Sequence, residues 1–179
     1  MDNRHHAVID IETTGVNPKN GCIICIGVKD IKNGDTVHVF HDEDEEQMLK
    51  EFLNYQSKRG FDTFVAWNDD FDFRYIWARC LKYKLPMQGF STLYRIDLQD
   101  LAEGAKHGYT RNTRGDGEWE AMDDWAEFLL GEQKVLDSSN IPELYEKGEI
   151  DRILKHCRKD VNLEAQIWQI INKLTEKSY

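Results

Sequence analysis

Near its start the chain reads Ala7-Val8-Ile9-Asp10-Ile11-Glu12-Thr13-Thr14-Gly15, and no other stretch limits the fold as tightly. Ala7, Val8, Ile9 and Ile11 form a β-branched apolar run that predicts a strand, and Thr13-Thr14-Gly15 ends it. Side chains alternate along a strand, so Val8, Asp10 and Glu12 share one face and Ile9 and Ile11 the other, with the two carboxylates roughly 7 Å apart. Two acids on an apolar strand repel each other and are costly to desolvate. These residues alone fit two readings. Either the strand end opens into water and the acids are hydrated, or a hard divalent cation, Mg²⁺ or Mn²⁺, lies between them.

The rest of the chain reads as one α/β domain over residues 1–179, without repeat, linker or low-complexity segment. A turn at 17–21 leads to an apolar strand at 22–29. The Asn33-Gly34 hairpin signal returns it as a third strand at 36–41, which makes an antiparallel three-strand opening. The acidic run 42–46 precedes Met48, Leu49, Phe52 and Leu53 at helical spacing, where acids suit the helix dipole and need no other role. A fourth strand at 63–67 runs directly into Asn68-Asp69-Asp70-Phe71-Asp72 and a helix. Asp69 and Asp70 are its natural caps, while Asp72 lies one turn before the apolar Ile76 and faces inward. A fifth strand at 93–98, a helix at 98–105, an amphipathic helix at 119–130, a short helix opened by Ile141-Pro142 and a long helix at 149–173 complete the pattern.

The net charge of −10 disfavours nonspecific binding to long duplex DNA or to anionic membranes, but not a grip on a few nucleotides. No apolar run reaches the length of a membrane span, and no signal peptide heads the chain. Cys22 and Cys25 sit at an odd offset that sends them to opposite faces of a strand. That reads as thiols of a reducing cytoplasm, not as half of a zinc knuckle. The expected location is therefore cytoplasmic.

On the last helix, at 100° per residue from His156, Asp160 falls at about 40°, Leu163 at about −20° and Ile167 at about 20°. His156 and Asp160 thus lie in the packed stripe, either bonded to each other at i,i+4 or aimed at the strand that bears Asp10 and Glu12.

Together, Asp10-x-Glu12, Asn68-x-x-Phe71-Asp72 and His156-x-x-x-Asp160 resemble the three motifs of the DEDD superfamily of 3′→5′ exonucleases. They are most similar to those of the proofreading domains of family B DNA polymerases and their small stand-alone relatives. The resemblance spans residues 8–171. It implies a ribonuclease-H-like fold, a mixed five-stranded sheet with flanking helices. It also implies a hydrolase that removes nucleoside 5′-monophosphates from the 3′ end of single-stranded nucleic acid, DNA favoured, with two Mg²⁺ or Mn²⁺ ions per site. In that scheme Asp10 bridges both ions, Glu12 and Asp160 complete the nucleophile-side ion, and Asp72 holds the second. Thr13, Thr14 and Asn68 would touch the terminal nucleotide. Lys106, Tyr109, Arg111 and Arg114 either steer the strand behind it or belong to a solvated loop. The third motif departs from the family, which divides into Tyr-x-x-x-Asp and His-x-x-x-x-Asp types. Here a histidine stands at the tyrosine spacing, and Lys155 occupies the other type's histidine position. His156 is then a general base or an orienting group for the attacking water. The alternatives are an exoribonuclease, and an inactive binding or interaction module of the same fold. A polymerase or other protein partner is not indicated by any residue.

Overall fold

The computed structural model describes residues 4–34, 36–102, 121–132 and 137–175. Five strands form one sheet: β1 (His6–Thr13), β2 (Ile23–Asp30), β3 (His38–Phe40), β4 (Thr63–Ala66) and β5 (Tyr94–Asp97). Their order is β3-β2-β1-β4-β5, which places the acid-bearing strand at the centre. β1 pairs antiparallel with β2, and β2 with β3, while β4 and β5 add in parallel. The expected mixed sheet with its antiparallel opening is present. The parallel half requires crossovers, and helices α1 (Glu45–Arg59) and α2 (Asp69–Tyr83) supply them.

Period-2 alternation in β1 divides the core. Ala7, Ile9 and Ile11 pack against α1 and α2 through Met48, Leu49, Phe52, Phe73, Ile76 and Cys80. Val8 faces the other layer, with Val65 and Ile96 beneath Val161, Leu163, Ala165, Ile167 and Trp168. Those five belong to α6 (Ile150–Thr175), which is flanked by α3 (Leu98–Ala102), α4 (Met122–Leu130) and α5 (Ile141–Glu146). Val8, Ile9 and Phe64 are fully buried, and each such side chain contributes about 1.5–3 kcal/mol.

Gly27 sets how closely α6 approaches the sheet. It pairs across the ladder with Asp10. A Cβ at that position would meet Cys157 Sγ and Val161 Cγ2, each at 2.7 Å. The absent side chain therefore lets the helix settle directly over the centre of β1.

Three local expectations are corrected. The β1–β2 register passes from Glu12↔Cys25 to Thr13↔Ile23, so Ile24 is an inserted residue and strict alternation fails there. Ile24 and Cys25 both join the cluster under α5 and α6, and Cys22 precedes β2, so strand alternation does not apply to the placement of the two cysteines. Asp69 and Asp70 are not caps. Asn68 is the N-cap of α2, in a left-handed conformation (φ 60°, ψ 52°) and without a side-chain cap bond. The two acids instead bind Arg95, through Asp69 Oδ2 at 2.8 Å and Asp70 Oδ1 at 2.6 Å. Finally, the 42–46 run does more than complement a dipole. Asp44 caps α1, but Glu45 is buried, accepts from Ile23 N at 2.7 Å and forms an ion pair with Arg79 of α2. Arg79 in turn donates to Pro18 O at 2.9 Å, which ties the turn after β1 to both helices.

Candidate active site

A cleft of about 550 Å³ opens where β1 ends. It is walled by β1, the β4–α2 junction, α4, the start of α5 and α6. Asp10, Glu12, Asp72 and Asp160, from three elements far apart in the chain, all line it. β1 contributes its outward acids by alternation. α2 begins immediately after β4, so its first turn stands beside the strand end, and α6 lies across the sheet with its packed stripe downward. Ile11 N donates to Asp72 Oδ1 at 3.1 Å, which fixes Asp72 against β1. Burial, and then the charge of Asp10, push the Asp72 carboxyl well above the ordinary carboxylate range despite that hydrogen bond.

His156 lies behind the cleft wall. It is buried between two acids, with Nε2 at 3.6 Å from Glu12 Oε1 and Nδ1 at 3.4 Å from Asp160 Oδ1. Ser138 Oγ stands 3.5 Å from the same Nε2. Glu12, His156 and Asp160 each offer one ligand atom, and these atoms lie within 4.8 Å of one another. The imidazole therefore contacts both carboxylates and does not reach the open space.

One acid in the cleft has no counterpart in the sequence reading. Glu164 follows Asp160 by one turn, lines the same space and is only 2% exposed. Its carboxyl is held well above its usual range by burial and then by the charges of Asp10, Asp72 and Asp160, against the hydrogen bond from Trp67 N–H. Oε2 has no hydrogen-bond partner. The signal was present: Glu164 falls at about 80° on the wheel that puts Asp160 at about 40°.

The expected nucleotide contacts divide. Thr13 and Asn68 line the cleft, and Asn68 Oδ1 is buried without a hydrogen-bond partner, while its N–H donates to Asp97 Oδ1 at 3.3 Å. Thr14 is not in the lining. Its hydroxyl accepts from Cys22 N at 2.9 Å and holds the β1–β2 connection. Lys106, Tyr109, Arg111 and Arg114 lie outside the described residues.

This donor set fits a hard divalent cation. It consists of carboxylate oxygens from three elements, and two of its acids are strongly disfavoured in their charged form without a counter-charge.

Residues 7–174 match the family model of the RNase H superfamily. The chain belongs to that superfamily. This RNase H superfamily protein is 31% identical over 175 residues to an uncharacterized protein of Methanocaldococcus jannaschii, covering 92% of this chain and 94% of that one. Its fold is similar to part of the family B DNA polymerase of the hyperthermophilic archaeon Pyrobaculum calidifontis. The TM-score is 0.74 at 15% identity, over 94% of this chain and 24% of the polymerase. The chain thus spans about a quarter of that polymerase's length, and the likeness is one of fold. Superfamily membership supports a nuclease-type function, and nucleases of this fold typically use divalent metals. Among the described residues, no helix is long and apolar enough to cross a membrane.

Proposed function

We propose that this chain is, as one domain, a divalent-metal-dependent 3′→5′ exonuclease that shortens single-stranded nucleic acid, DNA in preference to RNA, and releases nucleoside 5′-monophosphates. The observation that carries this reading is the convergence of Asp10, Glu12, Asp72 and Asp160 on one cleft from β1, α2 and α6, in the order and spacing of the exonuclease motifs.

Bound Mg²⁺ or Mn²⁺ would neutralise the scissile phosphate and supply a strong nucleophile at neutral pH. Glu12 and Asp160, with His156 between them, would hold one ion. Asp10, Asp72 and Glu164 would hold the other. His156 acts here as a positioning residue. Its two ring nitrogens face the two carboxylates, so it fixes their orientation. Asp72 is oriented by Ile11 N–H, and it lines the cleft together with Glu164 and Asn68. The buried acceptor Asn68 Oδ1 suits a hydroxyl of the terminal sugar. The cleft has the volume of a small-ligand site, which accepts a frayed terminal nucleotide and not a duplex.

A 5′-labelled single-stranded oligonucleotide tests the reading. With Mn²⁺ it should shorten stepwise from the 3′ end and yield 5′-mononucleotides, EDTA should stop the reaction, and Asp10→Asn or Asp160→Asn should be inactive while still folded. Binding without shortening would leave an inactive module of the same fold. Internal cuts would make the protein an endonuclease.

A further inference from the structure

A second cleft, of about 440 Å³, lies against the outer face of α2, and its composition differs from the first. Lys19, Arg74, Trp77 and Arg95 surround it, with Phe73, Phe90 and Leu93 beneath. Arg95 is neutralised by Asp69 and Asp70, and its guanidinium lies 4.8 Å from the Phe73 ring centre. Lys19 and Arg74 are different. Both are exposed, and neither forms an ion pair among the described residues. Trp77, one turn after Arg74, is 42% exposed, whereas Phe73 and Phe90 beneath it are buried. In a chain of net charge −10, two cations with no ion pair among the described residues, set beside an open indole, are a local reversal of sign.

The two clefts share walls. Thr13, Gly15 and Val16 line the acidic one, and Pro18 and Lys19 line the basic one, so the 13–19 segment separates them. Phe71 and Asp72 face the first cleft, and Phe73, Arg74 and Trp77 the second. Val16 is 85% exposed on the ridge between them.

We propose that the second cleft binds the strand upstream of the 3′ end, with Lys19 and Arg74 on successive phosphates and a base stacked on Trp77. A cation–aromatic surface of this kind suits single strands, since every base offers a π-face and every linkage a charge. An acidic peptide would use the cations but would not need the indole. The proposal takes its direction of threading from the exonuclease reading, but the binding itself does not require hydrolysis.

The test is anisotropy of fluorescein-labelled oligothymidylate in EDTA, with lengths of two and eight nucleotides. Lys19→Ala/Arg74→Ala should bind the eight-nucleotide probe about tenfold or more weakly, and its salt slope should fall by about 0.7 for each phosphate contact removed. Trp77→Ala should lose about fivefold or more, with Trp77→Phe closer to wild type. In Mn²⁺, the gain in kcat/KM from two to eight nucleotides should shrink in the same variants. These side chains are on the surface, and thermal melts check that the variants fold. Wild-type affinity of either the double variant or Trp77→Ala for the longer probe overturns the proposal. A wild type that binds with this residue dependence but never shortens the strand leaves the second cleft standing and removes the exonuclease reading.

Discussion

Gly27→Ala is the change of one methyl group that most directly tests how this site is built. Alanine is better suited to a strand than glycine, so local propensity alone predicts a small gain. The surroundings predict the opposite. The new carbon would lie 2.7 Å from Cys157 Sγ and from Val161 Cγ2, whereas nonbonded carbon atoms rest at ~3.5–4.0 Å. Relief therefore needs α6 to lift by ~0.8 Å or more, or a strained core that costs about 1–3 kcal/mol. The helix that lifts carries His156, Asp160 and Glu164, while Asp10, which pairs with Gly27 across the ladder, stays with the sheet. Misplacement of reacting groups by about 1 Å is worth about a hundredfold in rate. We expect a urea midpoint lowered to match 1–3 kcal/mol together with a comparable loss in Mn²⁺-dependent strand shortening. Adding Cys157→Ala removes one of the two contacts and should recover part of both losses. Wild-type stability and turnover in Gly27→Ala would refute this account of how α6 is seated, as would a double variant that recovers nothing.

Three further outcomes are expected. Glu164→Gln should raise the melting temperature of the metal-free protein by a few degrees. A gain of 1 kcal/mol is worth about 2–4 °C in a chain of this size. Because the folded state holds this proton more tightly than the unfolded chain does, the wild type loses stability as pH rises above the ordinary carboxyl range, and the variant's advantage should grow in the same direction. A variant less stable than wild type in EDTA at pH 7.5 would contradict this. Asp30→Asn should behave oppositely. Burial raises the Asp30 carboxyl, but hydrogen bonds from His5, Asn33 and Arg59 outweigh it and bring it down to about 2. Its stabilisation of about 2 kcal/mol is then complete above about pH 4 and vanishes as pH falls through 2, so urea curves of variant and wild type should converge in acid; a constant gap would exclude it. His156→Phe should weaken Mn²⁺ affinity by about 10–100-fold, the usual effect of losing a group that orients ligands, and His156→Tyr should retain more. Unchanged affinity with lost turnover would make His156 a proton carrier and end its assignment as a positioning residue.

The features with a fixed period were legible in the sequence. Alternation placed Asp10 and Glu12 together on β1, and the 100° step put His156 and Asp160 on the packed stripe of α6. What escaped depends on partners far away in the chain. Glu164 lies on the packed side of the same wheel, but its role shows only once Asp10 and Asp72 are known to face it. Glu45 looks like a dipole partner until Arg79 arrives from α2. Asp69 and Asp70 fit the composition of a cap, yet the backbone turned left-handed at Asn68 and freed them for Arg95. The residue inserted at Ile24 leaves no mark in composition, and it breaks the alternation on which the expected placement of the two cysteines rests.

The position of α6 also bears on how the protein comes into being on the ribosome. Asp160 and Glu164 are made some 150 positions after Asp10, and their helix rests on the strand that carries it. Synthesis proceeds at about 5–20 residues per second, so for several seconds a nascent chain carries Asp10, Glu12 and Asp72 without the helix that completes their cleft. Contacts this distant in sequence also form late in folding, because the long loop between them must close first. Any nuclease activity of this chain would therefore switch on only as the final helix docks, and fragments ending before it would be inert.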